Sequence, residues 1–165
     1  MRHDPTAARG VPAHVTILYP FRTGLDGDTA ERIEEICRSF TPFEARFATV
    51  GRFADEGIVW LRPEPHDVFV ALLRAFVAAF PDCPPYGGRI AEVIPHLTVA
   101  TELDAADAAS IEATLAAQLP VTTTVDRLTL LAEDDDGIWH EQRSWRLGPS
   151  SEAGQDPGAD RTESE

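Results

Sequence analysis

Two histidines, His14 and His96, each head a four-residue word: His14-Val15-Thr16-Ile17 and His96-Leu97-Thr98-Val99. Each word reads histidine, apolar, threonine, apolar, with a proline just ahead (Pro12, Pro95). In extended backbone, side chains alternate between faces, so the His and Thr of a word share one face while its apolar pair turns to a core. If the two words meet, one groove holds two imidazoles and two hydroxyls. That set suits metal-free phosphoryl chemistry, with one ring as base, the other as acid and the hydroxyls as donors to non-bridging oxygens. Two imidazoles near pKa 6.5 can hold opposite protonation states near neutral pH. The bland alternative is a pair of buried strands whose polar groups are satisfied locally. With five histidines in the chain, chance supplies roughly 0.08 copies of such a word, so two copies about 80 residues apart favour a duplicated unit.

The elements that must position these words follow from periodicity and punctuation. Residues 13–19 read as a strand closed by Pro20, and residues 28–40 as a helix with Ile33, Ile36, Cys37 and Phe40 on one stripe and Asp28 or Thr29 as its cap. Phe43 to Phe53 and Ile58 to Leu61 read as a hairpin turning at Asp55-Glu56-Gly57. Residues 66–80 form a strongly apolar second helix, 96–101 the second motif strand, and Asp104 caps a third helix running through Leu119. Residues 121–132 are β-branched and read as a strand bent near Asp126, returning over 138–147 after a turn at Asp134 to Gly137. Strand, helix, hairpin thus occurs twice. The expected fold is α+β: a two-lobed, internally duplicated domain with an approximate twofold, antiparallel or mixed sheets flanked by helices, and a cleft between the lobes. Residues 1–148 make that domain, and the Ser-, Gly-, Pro- and acid-rich residues 149–165 a disordered acidic tail.

Composition narrows the partners. The 43% apolar content supports a real core, while the net charge of −14 repels a nucleic-acid backbone. Tight nonspecific nucleic-acid binding is therefore not expected, and a phosphodiester substrate must be short and held by a local cluster of donors. The longest apolar stretch, Val68 to Phe80, is interrupted by Arg74 and too short for a membrane span. No signal peptide is evident, and Cys37 and Cys83 lack metal spacing, which reads as a cytoplasmic protein with reduced thiols.

Other residues weigh less. No His, Cys, Asp and Glu spacing suggests a metal, and no cofactor is expected. Asp134 to Asp136 read as a solvated hairpin tip rather than a calcium site. His66 reads as a capping or solvated residue at a helix start, His140 as a surface strand residue, and His3 lies in a mobile start. Arg22, Arg52 and Arg89 are candidate phosphate binders, each more often a surface charge. Tyr19, Phe21, Trp60 and Tyr86 could stack a base, though core packing is the default for the first three.

The paired words resemble the two-histidine phosphoesterase superfamily, in its 2′-5′ RNA ligase-like and cyclic phosphodiesterase branch. The resemblance spans about residues 10–147 and is carried by His14, Thr16, His96 and Thr98, supported by Tyr19-Pro20-Phe21, the Arg52-Phe53 to Trp60-Leu61 hairpin and Pro95. It implies catalysis by His14 and His96, phosphate binding by Thr16 and Thr98, and a 2′,3′-cyclic phosphate or 2′-5′ linkage of a nucleotide or short RNA end as substrate. In the ligase direction the acid and base roles reverse. Members of the family usually carry a strand and helix ahead of the first word. Here only 13 residues precede His14, so a sheet edge is expected to lack a partner, which leaves the oligomeric state open. Two other functions compete: an idle nucleotide- or RNA-binding module on the same fold, and an acidic interaction protein.

Overall fold

The structure, a computed structural model, describes residues 5–90 and 92–149. In chain order the elements are α1 (Pro5–Ala8), α2 (Gly27–Arg38), β1 (Phe43–Phe53), β2 (Ile58–Glu64), α3 (His66–Ala79), β3 (Leu97–Ala100), α4 (Ala105–Ala116), β4 (Val121–Val125), β5 (Arg127–Glu133) and β6 (Trp139–Arg146). Helix α2 forms because its apolar residues recur at helical spacing. Ala30, Ile33 and Cys37 are buried on one side. Its cap is Asp26, not Asp28 or Thr29: the Asp26 carboxylate accepts the Thr29 N–H at 2.7 Å, two residues before the expected start. The expected cap of α4 is the observed one, since Asp104 accepts from the N–H groups of Ala106 and Asp107.

Strands β1 and β2 form the predicted hairpin, with register from Phe53↔Ile58 to Arg46↔Glu64 and a shift between Phe47 and Thr49. Gly57 closes the turn at φ 62°, and a Cβ there would stand 2.6 Å from the Leu103 carbonyl oxygen, so the position requires glycine on both counts. The predicted strand 121–132 is two strands. Asp126 divides β4, which pairs with β1, from β5, which pairs with β6. The result is a four-stranded sheet in the order β3-β2-β1-β4 and a two-stranded sheet β5-β6, antiparallel throughout.

The duplication takes an interleaved form. The strand of the second word, β3, pairs with β2 in the first hairpin. The segment leading into the first word lies instead beside the second hairpin, where the Trp139 N–H donates to the Arg9 carbonyl at 2.7 Å. Each word is therefore delivered to the other unit's hairpin.

One expectation changes at the first word. Residues 13–19 are not a regular strand, because the backbone bond to β6 is made at Arg9 and no ladder continues along His14 to Tyr19. The alternation survives nonetheless: Val15 and Ile17 pack on the core while His14 is exposed. The core has two clusters, one of Ala45, Phe47, Leu61 and Phe69, the other around Ile33, Cys37, Phe76, Phe80, Trp145 and Leu147, and Ile17 touches both. Between the sheets lies a cleft of about 1290 Å³. Among the described residues no helix is long and apolar enough to cross a membrane. The tail expected to be disordered lies, from residue 150 on, outside the described residues, as does His3.

Candidate active site

Both histidines are held by the same local device. The Nδ1–H of His14 donates to the Pro12 carbonyl at 2.8 Å, and that of His96 to the Ile94 carbonyl at 2.7 Å, each two residues upstream. A ring whose Nδ1 carries the proton presents Nε2 as the working nitrogen, a lone pair when neutral and an N–H donor when protonated. The prolines sit differently in the two clamps: Pro12 supplies the first acceptor itself, whereas Pro95 stands between the acceptor Ile94 and His96.

The surroundings of the two Nε2 atoms differ. His14 Nε2 lies 3.1 Å from Thr16 Oγ1, which establishes that His and Thr of the first word share a face; in the neutral ring the hydroxyl donates. The His96 ring is walled by Phe53, with centroids 5.1 Å apart and nearly perpendicular, and by Trp60 at 5.8 Å. Thr98 stands across from Trp60 in the β2–β3 register. Trp60 itself lies over Gly51, where a Cβ would come within 2.3 Å of the indole. Glycine at 51 thus makes room for the wall that holds His96.

His14, Val15, Thr16 and Ile17 line the cleft together with Leu97, whereas His96 and Thr98, on the other face of their strand from Leu97, are not among the described residues that line it. Among the described residues no hydrogen bond or ring contact joins the two imidazoles directly. The Tyr86 N–H donates to the Tyr19 carbonyl at 2.6 Å, and the two rings meet edge to face at 6.4 Å. Tyr19 also faces Trp139 at 6.4 Å. Burial, and secondarily the charge of Glu56, raises the Tyr86 hydroxyl above its ordinary value. Tyr86 sits at φ 51°, a left-handed conformation unusual for an aromatic residue.

The three candidate arginines have partners in the protein. Arg22 forms a forked pair with Asp82 and reaches Thr29, Arg52 pairs with Glu112 at 2.9 Å, and Arg89 donates to the Tyr86 carbonyl. Phe21 packs on Phe80 in the core. Asp134 organises its hairpin tip by accepting from the Asp136 and Ile138 N–H groups and contacting His140 at 2.7 Å. His66 opens α3 but neither caps it nor is solvated at Nδ1, which is buried without a partner, because Pro65 occupies the cap position. Cys37 and Cys83 are free and buried, and burial pushes the Cys37 thiol up to about 11, which removes it as a nucleophile at neutral pH. The carbonyls of Pro12 and Ile94, the Phe53–Trp60 wall and Gly51 were not legible as site features. The prolines near each histidine were the only trace of the shared clamp.

A Geobacillus kaustophilus protein provisionally named a phosphoesterase is 25% identical over 143 residues, 84% of this chain and 80% of the relative. A Bacillus cytotoxicus protein with the same provisional name is 26% identical over 165 residues, 91% and 87% of the two chains. In fold the chain is similar to Escherichia coli LigT complexed with NADP+ (TM-score 0.56, 18% identity, 90% of this chain and 82% of that one). It is also similar to LigT complexed with 3′-AMP (0.53, 13%, 82% and 76%) and to TT0787 of Thermus thermophilus (0.51, 19%, 83% and 80%). The 2′-5′ RNA ligase superfamily profile matches residues 1–137, and the chain belongs to that superfamily.

Proposed function

We propose that the protein is a metal-independent phosphoesterase that opens a 2′,3′-cyclic phosphate or cleaves a 2′-5′ phosphodiester of a nucleotide or RNA end, with His14 and His96 as its acid–base pair. The observation that carries this reading is the matched Nδ1 clamp, which leaves an equivalent Nε2 on each ring. In hydrolysis of a cyclic phosphate, one neutral Nε2 takes a proton from water as the water oxygen bonds to phosphorus. The P–O bond to the leaving ribose oxygen breaks, and the other ring's Nε2–H protonates that oxygen. Thr16 and Thr98 donate to the non-bridging oxygens as charge grows there. Tyr19 and Tyr86, joined across the cleft's rim, supply aromatic faces for a base. The nucleotide complexes of the similar LigT structures support a nucleotide as ligand. Among the described residues no three His, Cys, Asp or Glu side chains converge as a metal-ligand set, and the two-imidazole mechanism calls for none.

The test is turnover of a 2′,3′-cyclic nucleotide across pH 5–9 with and without EDTA. A bell-shaped profile unaffected by EDTA is expected. Activity that EDTA abolishes and a divalent metal restores would overturn the mechanism. Nucleotide binding without turnover of any cyclic or 2′-5′ substrate would leave a binding module.

A further inference from the structure

We propose that Arg62, His66 and Arg74 form a second phosphate subsite, which holds the backbone of an RNA end beyond the reacting ester and makes an oligonucleotide, not a free cyclic nucleotide, the preferred substrate. This rests on the two-histidine reading above. The chain's 14 basic side chains are all arginine, in a molecule of net charge −14. General attraction to a polyanion is absent, so a local cluster must supply it. Arg9, Arg22, Arg46, Arg52 and Arg127 pair with carboxylates. Arg62 and Arg74 carry no ion pair and no side-chain hydrogen bond among the described residues. They line one shallow depression with His66, Asp67, Val70 and Ala71.

The cluster is assembled by two elements. His66, Val70 and Arg74 recur every four residues along α3 and so share a face. Arg62 comes from β2, just before the turn into that helix. Guanidinium forks match phosphate oxygens. His66 lines the depression with the two arginines, and its Nδ1 is buried without a partner. Burial, then the charge of Arg62, holds the His66 imidazole below its ordinary value, with Asp67 opposing. A bound phosphate offsets the arginine charge and restores the protonated ring. Pro65 offers no side-chain cap, so the first N–H groups of α3 add to the positive end, and Asp67 is the one acid in the depression.

Position ties the cluster to the reaction. Trp60 pairs with Thr98 and Leu61 with Leu97, so Arg62 follows the last β2 residue paired with β3 just as His96 precedes the first residue of β3. Arg62 is thus the member of the cluster that register sets next to the second word, and His66 and Arg74 line the same depression.

The experiment compares a 2′,3′-cyclic mononucleotide with a trinucleotide ending in a 2′,3′-cyclic phosphate. In the native protein the trinucleotide has the lower KM. Arg62→Ala with Arg74→Ala cuts that advantage by about tenfold and flattens its salt dependence. An unchanged KM ratio overturns the proposal, and Arg74→Ala alone serves if the double variant does not fold. A second readout needs no turnover: a trinucleotide 3′-phosphate is titrated while the His66 ring is followed by NMR. A rise in the His66 pKa, lost in the double variant, is expected, and a silent His66 overturns the subsite. If His66 responds while neither cyclic substrate is hydrolysed, the catalytic reading falls and the subsite stands.

Discussion

The two histidine words share a sequence and a backbone clamp but not a setting. His96 enters a paired strand, β3, and its ring is walled by Phe53 and Trp60. His14 lies on irregular chain, exposed, and its Nε2 has only the Thr16 hydroxyl beside it. Repetition of a short word therefore reproduces what the word itself encodes, the carbonyl-held ring two residues after its acceptor. It does not reproduce what the neighbouring elements supply. Beyond the clamp they share, one ring is positioned by packing and the other by a second hydrogen bond, and the two kinds of support fail differently.

The sharpest way to break the comparison is to remove each ring. His14→Ala and His96→Ala should each lower kcat roughly 10²–10⁴-fold, because each ring moves a proton in the same transition state. A large loss at one and a small loss at the other would show that the two words are not chemically equivalent. Next is Gly51→Ala. Its Cβ would collide with the Trp60 indole, so the wall behind His96 must shift, with a stability loss of about 1–3 kcal/mol and a kcat loss on the order of tenfold. Thermal unfolding and kinetics of one preparation measure both, and normal values for both would mean Trp60 does not hold the ring.

The threonines probe the opposite side. Thr16→Ala removes the side chain that, among the described residues, bonds His14 Nε2, so it should cost more than Thr98→Ala, by a few-fold in kcat/KM, with both below either histidine loss. Equal effects would mean that both hydroxyls act on the substrate alone.

The smallest effect separates the halves by acid. Asp26 is held low first by its bonds to Thr29, Asp82 by Arg22, and Asp134 by the Ile138 N–H and His140. All three serve the loops, helix and hairpin around the first word. Their folded pKa values lie below the ordinary 3.8, so the stability they confer is present above about pH 3.8 and lost as pH falls through the lowered values. On acidification the Trp139 indole signal, beside Tyr19, should change before that of Trp60, beside His96. Coincident changes would show that the halves unfold as one.

What the chain determines alone is local. Period-two spacing placed His14 with Thr16, helical spacing placed Ile33 and Cys37 inward, and Asp104 before an alanine-rich run defined a cap, because each depends on residues a few positions apart. The family resemblance was legible for the same reason, its mark being two short words. Tertiary structure decided the rest. Asp126 splits one β-branched run between two sheets, each word goes to the other unit's hairpin, and residues 13–19 lose regular strand form where the pairing stops at Arg9. It also occupied Arg22, Arg52 and Arg89 with partners and left Arg62 and Arg74 without an ion pair among the described residues. Side-chain charge is written in the sequence, but whether a neighbour neutralises that charge depends on contacts between residues tens of positions apart.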